Sequence, residues 1–192
     1  MTRAKAGRPP KHKPRVQKHE IVEAALELLD DEGVQGLTMR ALGRRLKVNP
    51  MTLYHHIGGR ADLLQSLSDH VYDRVTSKDS GTAREKIESL LTSYYRAVMK
   101  HPQLSLGIFS TPGSLSKEAV RITDELLTLL GEAKLPPARA KLWLSILIDF
   151  THGSSLATAM SFASNGNESA LKSQSRDYSR GLGELLDSLF RE

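Results

Sequence analysis

The sequence predicts an all-α protein, with an N-terminal three-helix helix-turn-helix unit followed by a larger helical body. Three observations carry this. Apolar residues recur at three- and four-residue intervals along most of the chain, and no stretch alternates with the period of a strand. The first third holds three short periodic segments, punctuated by glycines and an Asn-Pro pair, whereas the remainder reads as longer ones. Charge is divided along the same line: residues 1–60 hold 12 Lys/Arg and 6 Asp/Glu, and residues 61–192 hold 15 and 16. A basic front joined to a neutral body suggests one polyanion-binding end and a second task elsewhere.

Each element follows from local chemistry. Residues 1–15 contain three prolines, many charges and almost no large apolar side chain, which predicts a disordered basic arm. The arm is open to two readings, a solvated tail or a polyanion contact. From Gln17 the pattern is helical, with Ile21, Ala25, Leu28 and Leu29 on one face, and Gly33 is expected to cap the end. Asp30, Asp31 and Glu32 lie unfavourably at the negative end of that helix, with no partner evident nearby. Thr38 is the N-cap of a second helix whose Met39, Leu42 and Leu46 face inward. After a Lys47-Val48 turn, Asn49 caps a third helix, Pro50 takes its first position, and Gly58-Gly59 ends it. Three short helices with these connections make a helix-turn-helix unit over residues 16–62.

The body, residues 63–192, reads as helices over residues 61–77, 83–100, 115–130, about 25 residues from Pro136-Pro137, and 168–190. Residues 103–113 are a loop or a short helix, because Pro102 closes the preceding helix at His101. Leu115 is expected on the inner face of its helix and Gly131 at its end. No apolar run reaches the roughly 20 residues that a bilayer span requires. No apolar segment follows the basic N-terminus, so no secretory leader is expected. The chain has no cysteine, which excludes disulfides and thiolate metal sites and fits a reducing compartment.

The stretch NPMTLYHHIGGR, residues 49–60, carries the chemistry. A helix that enters the major groove presents its N-terminal residues to the base edges. Here these are Pro50 and Met51, which can pack on a thymine methyl, and Thr52, which can hydrogen-bond a base edge or a phosphate. Leu53 and Ile57 must face the core, so Tyr54, His55 and His56 fan across the outer side. Adjacent histidines on a helix diverge too far to share a metal, and neither has a ligand partner at i+4. Neither a metal nor a cofactor is therefore expected.

Residues 36–64, GLTMRALGRRLKVNPMTLYHHIGGRADLL, resemble the DNA-binding domain of the tetracycline repressor (TetR) family of bacterial transcription regulators. The matching features are Glu32-Gly33, Leu37-Thr38, Leu46 and Val48 around the turn, Leu53-Tyr54, His56 and Arg60. The resemblance implies that Thr38 and Tyr54 bind phosphate, that His56 supports the backbone contact, and that Arg60 stands where a phosphate-binding Lys is usual. Arg40, Met51, Thr52 and His55 match base-facing positions. Two residues depart from the pattern. Lys47 replaces the usual turn glycine, which implies a left-handed residue at a cost of about 1 kcal/mol. Gly43 replaces a common Ala. In the arm, Gly7-Arg8-Pro9 resembles the core of minor-groove AT-hook peptides and places Arg8 among the candidate DNA contacts, although plain phosphate attraction accounts for the same charges.

The resemblance further implies a cytoplasmic homodimer that binds double-stranded DNA at a palindromic operator. Its C-terminal domain would bind ligand and dimerise, with an unknown small-molecule effector enclosed and the last two long helices paired with the partner chain. The stretch THGSSLATAMS, residues 151–161, is rich in small residues that suit either that interface or a buried intrachain helix. Candidate ligand-binding residues are Tyr94, Tyr95, Met99, His101, Phe109, Trp143 and Phe150, with Asp149 and His152 beside them; ordinary core packing is the competing reading for each. His101 stands near a metal-binding histidine of the tetracycline repressor, but Pro102 follows it and the rest of that site is not recognisable, so tetracycline is not inferred. No phosphate loop, nucleophile elbow or catalytic constellation is present, which argues against an enzyme. The rival to a ligand-released repressor is a DNA-binding architectural protein without a ligand.

Overall fold

The computed structural model describes residues 16–191, and these form nine α-helices and no strand. The arm 1–15, with Arg8, lies outside the described residues. The helices are α1 (Lys18–Gly36), α2 (Met39–Leu46), α3 (Pro50–Ile57), α4 (Arg60–Tyr72), α5 (Ala83–Lys100), α6 (Pro102–Ser110), α7 (Lys117–Glu132), α8 (Pro137–Asn165) and α9 (Glu168–Phe190). No helix among the described residues is long and apolar enough to cross a membrane.

The N-terminal signals work as local chemistry requires. Glu20 reaches back to the Gln17 N–H at 2.7 Å and starts α1. Gly33 takes φ 69° and ψ −174°, a combination that only glycine holds readily, and breaks the helix there. One more turn follows the break, so α1 extends to Gly36 beyond the expected stop. Thr38 Oγ1 accepts from Ala41 N at 3.1 Å and caps α2; Asn49 Oδ1 accepts from Met51 N at 2.9 Å and caps α3. Between them Lys47 is left-handed, φ 56° and ψ 36°. A Cβ at Gly43 would lie 3.0 Å from the Val48 carbonyl oxygen and 3.2 Å from Pro50 Cγ, so α2 crosses the start of α3 with almost no clearance.

Four body expectations need correction. The helix expected over residues 61–77 ends at Tyr72, because Arg121 of α7 donates to the Tyr72 carbonyl at 3.3 Å and the Val75 carbonyl at 2.6 Å, and folds the chain back. Of the two readings left open for residues 103–113, the short helix is the one found, with Pro102 in its first turn. α7 starts only at Lys117, because Ser116 Oγ accepts from Ala119 N at 3.1 Å; Leu115 is therefore outside the helix and exposed. Gly131 lies inside the last turn, and the left-handed residue is Lys134. α8 is 29 residues long, against about 25 expected from the pattern.

Two apolar cores result. The head core joins Ile21, Leu28, Leu42 and Leu53 to Leu63, Leu64 and Leu67 of α4. The body core packs α5 against α7, α8 and α9 and includes Tyr72, also from α4. The acids at the end of α1, for which no neighbouring partner is evident in sequence, find distant ones. Asp30 Oδ2 bonds His101 Nδ1 at 2.8 Å, and Asp31 bonds Arg45 at 3.1 Å.

The left-handed Lys47 is the one strained residue inside the head. Lys47→Gly is expected to raise stability by about 1 kcal/mol. The check is the midpoint of urea unfolding, which should rise with an unchanged slope.

Candidate nucleic-acid interface and a cavity in the body

α3 turns Leu53 and Ile57 into the head core and leaves Met51, Tyr54, His55 and His56 exposed, with Pro50 and Thr52 half-buried. On α2 and its cap, Thr38 and Arg40 are exposed. The Thr38 hydroxyl accepts from the helix, so its proton remains available to an incoming oxygen. Arg44, one turn beyond Arg40, is exposed as well, and sequence reading did not single it out. Residues 38–57 contain Arg40, Arg44, Arg45 and Lys47 and no Asp or Glu. Arg45 is taken up in a surface ion pair with α1, to Glu27 at 3.0 Å and Asp31 at 3.1 Å. The outer face of α2 and α3 is thus cationic, rich in hydroxyl and imidazole donors, and free of acids, which is the chemistry that phosphate oxygens and base edges require.

Arg60 is placed differently from the other candidates. Its guanidinium turns inward and donates to the Leu37 carbonyl, and to the Val34 carbonyl at 2.6 Å. It ties the start of α4 to the link between α1 and α2.

The body holds a cavity of about 190 Å³ between α4, α5, α6, α7 and α8. Four rings line it: Tyr72, Tyr94, Phe109 and His152. Tyr94 meets Tyr72 edge-on at 5.3 Å and His152 edge-on at 5.2 Å; His152 meets Phe109 at 4.9 Å. Ile108, Ile122 and Ile148 supply the apolar floor, and Ser105 and Thr123 the remaining polar groups. No charged side chain lines it. The Tyr94 hydroxyl and His152 Nε2 are 2.5 Å apart. In one tautomer of His152 the Tyr94 hydroxyl donates this bond, and in the other Nε2 does. Burial pushes the imidazole below its ordinary range, outweighing the pull of Asp149, and burial pushes both tyrosines above theirs. Near neutral pH the wall is uncharged.

Tyr94 and Phe109 are the nominated ligand residues that reach this cavity, together with His152. Tyr95 and Met99 line a different groove, beside Phe162 and Leu171. Tyr95 is stacked on Tyr178 at 3.9 Å and donates to Thr158 Oγ1 at 3.1 Å. His101 is bound to Asp30 at the junction of head and body. Trp143 packs on the body core, and Phe150 stacks on Tyr178 at 5.6 Å. Sequence reading did not nominate Tyr72, Ser105 or Ile148, which reach the cavity from α4, α6 and α8. Among the described residues no cluster of three or more His, Asp or Glu could hold a metal ion.

Residues 21–67 match the family model described as bacterial regulatory proteins, tetR family. The chain is 36% identical over 92 residues to an HTH-type transcriptional regulator of Saccharopolyspora erythraea, a match covering 47% of this chain and 39% of that protein. The first curated relatives are thus spanned over less than half of their length. Tetracycline repressor protein class E of Escherichia coli is 27% identical over 149 residues, covering 74% of this chain and 68% of that protein. In structure the chain is similar to BioQ of Mycobacterium smegmatis, with TM-score 0.76 and 26% identity over 92% of this chain and 99% of that one. BioQ with its natural double-stranded DNA operator gives TM-score 0.73 and 25% identity over 93% and 100%.

The inward bonds of Arg60 separate two roles for it. Arg60→Ala should lower stability by about 1–3 kcal/mol, because two half-buried carbonyls lose their donor. Thermal unfolding without DNA is the measurement. An unchanged melting temperature would leave Arg60 with phosphate contact alone.

Proposed function

We propose that this chain, a member of the tetR family of bacterial regulatory proteins, is a homodimeric, cytoplasmic repressor released from a palindromic operator by a small molecule. The observation that carries the reading is the pairing of an acid-free, donor-rich α2–α3 face with an uncharged aromatic cavity in the body, joined by α4 and α6. In this reading residues 16–62 are the DNA-binding head and residues 63–192 the ligand-binding and dimerisation body. Met51, Thr52 and His55 read base edges with Pro50 and Arg40. Thr38, Tyr54, His56 and Arg60 hold the phosphate backbone, and Arg8 in the arm adds charge or enters the minor groove.

α8 supports the dimer. It buries Leu147, Thr151, Ser155 and Thr158 in its own chain. Leu142, Ile146, Gly153, Ala157 and Met160 repeat at helical spacing along the opposite, exposed side. A soluble monomer gains nothing from such a stripe, whereas a two-fold partner presenting the same stripe buries both. A symmetric dimer then sets its two α3 helices on successive major-groove faces, about 34–36 Å apart or a multiple of that.

α6 supports the coupling. Ser105 and Phe109 face the cavity, whereas Leu104 lies in the head core and Gly107 lies against Leu64. A ligand that displaces α6 shifts the head with it. By linkage, ligand weakens operator binding by the factor that operator weakens ligand binding, typically 5–150-fold.

Selection of bound duplexes from a random pool should yield a two-fold symmetric site. On that site His55→Ala and Thr52→Ala are expected to change base preference, and Tyr54→Phe to weaken all duplexes alike. Equal losses on every duplex in all three variants would sink the division of roles. For the dimer, Ile146→Asp should give a monomer in sedimentation and a large loss of operator affinity; a dimer of unchanged stability would move the interface off α8.

A further inference from the structure

We propose that the cavity takes an uncharged, single-ring aromatic molecule with a hydroxyl group, of the phenol class, whose hydroxyl bonds the Tyr94 hydroxyl. The proposal rests on the ligand-released reading above and names the ligand's chemistry.

Size comes first. An apolar cavity of roughly 150 Å³ accommodates a benzene ring. The volume here is about 190 Å³, enough for one ring with a small substituent. Shape follows from the walls. Tyr72, Tyr94, Phe109 and His152 present faces and edges to one space, and a flat ring among them keeps the offset and edge-on contacts that aromatic quadrupoles favour. Phe109 and Leu115 line the cavity yet are exposed, so they form its rim.

Charge is excluded by the lining. No Lys, Arg, Asp or Glu borders the space, so a carboxylate or ammonium would be desolvated with no partner. The polar group is specified by proton accounting. Tyr94 and His152 Nε2 share one hydrogen bond, so Tyr94 keeps a further position, a lone pair where it donates to His152 and its proton where it accepts. The Thr123 hydroxyl donates to the Ala119 carbonyl at 2.9 Å, so its oxygen only accepts. Tyr72 and Ser105 share one hydrogen bond at 3.3 Å and leave one proton over. A ligand hydroxyl suits this set, because it meets Tyr94 as donor or acceptor and also bonds the Tyr72–Ser105 pair. An ether cannot donate, and an unsubstituted ring does neither.

Isothermal calorimetry on the full chain without DNA tests this with four probes of similar size: 4-ethylphenol, 4-ethylanisole, 4-hydroxyphenylacetate and 4-ethylcyclohexanol. 4-Ethylphenol should bind roughly tenfold more tightly than each of the others, because the anisole cannot donate a hydrogen bond, the carboxylate is desolvated without a partner, and the cyclohexanol lacks the aromatic contacts. Tyr94→Phe should bring the ratio of 4-ethylphenol to 4-ethylanisole close to one. Ala119→Leu, which fills the cavity from α7, should weaken 4-ethylphenol by at least about tenfold. Equal affinity for the anisole, the carboxylate or the cyclohexanol, or no binding of any probe, overturns the proposal. The wild-type comparison decides it even where a variant does not fold. If 4-ethylphenol binds as described and operator affinity stays unchanged, the ligand class stands and the release of DNA by ligand falls.

Discussion

The arrangement depends on α4 serving two cores at once. Its first half places Leu63, Leu64 and Leu67 in the head core, and Tyr72 at its end is fully buried in the body. Close-packed interiors shift between discrete arrangements more readily than they deform continuously. A displacement at the Tyr72 end of α4 therefore cannot be absorbed locally. The chain reinforces that end: Arg121, itself bonded to Glu118 and Glu125, binds the carbonyls that follow the last turn. At the other end, Gly59 N donates to Asp62 at 2.7 Å, and Arg60 ties the helix to the link between α1 and α2. A helix fixed at both ends and shared between two cores moves as a unit or not at all.

Much of the head was legible because its signals are local. Thr38, Asn49 and Pro50 act within three residues of themselves, and the missing turn glycine at Lys47 shows as a left-handed residue. The outward fan of Tyr54, His55 and His56 follows from the burial of Leu53 and Ile57. What sequence reading missed depends on distant residues. His101 meets Asp30 across 71 positions, and Arg45 meets Asp31 across 14, so neither pairing leaves a local pattern. The early end of α4 belongs to this class, since the apolar period runs on to Val75 and only Arg121 explains why the helix stops.

The cavity was half legible for the same reason. Tyr94 and Phe109 stand out as aromatic residues on helices expected to frame a pocket. Tyr95, Phe150 and Trp143 have the same chemistry at similar positions, yet the first two are consumed in a stack around Tyr178 and the third packs on the core. Composition cannot distinguish an aromatic residue that packs from one that lines a space. That difference is set by neighbours on other helices.

The polar groups around the cavity give the structure a further constraint. Among the described residues, no fully buried side-chain nitrogen or oxygen lacks a hydrogen-bond partner. The Tyr94–His152 bond satisfies two groups that would otherwise be costly to bury. It also holds Tyr94, on α5, against α8, the helix that carries the exposed apolar stripe. A molecule that bonds the Tyr94 hydroxyl thus touches the α5–α8 contact as well as α6. In the proposed reading that contact leads to the head through Leu104 and Gly107 of α6, and to the stripe through His152 of α8. In the proposed dimer the separation of the two heads depends on both routes. In that reading a ligand small enough to fit between four rings would bias a spacing set many residues away, because each wall it touches belongs to a helix with a second task.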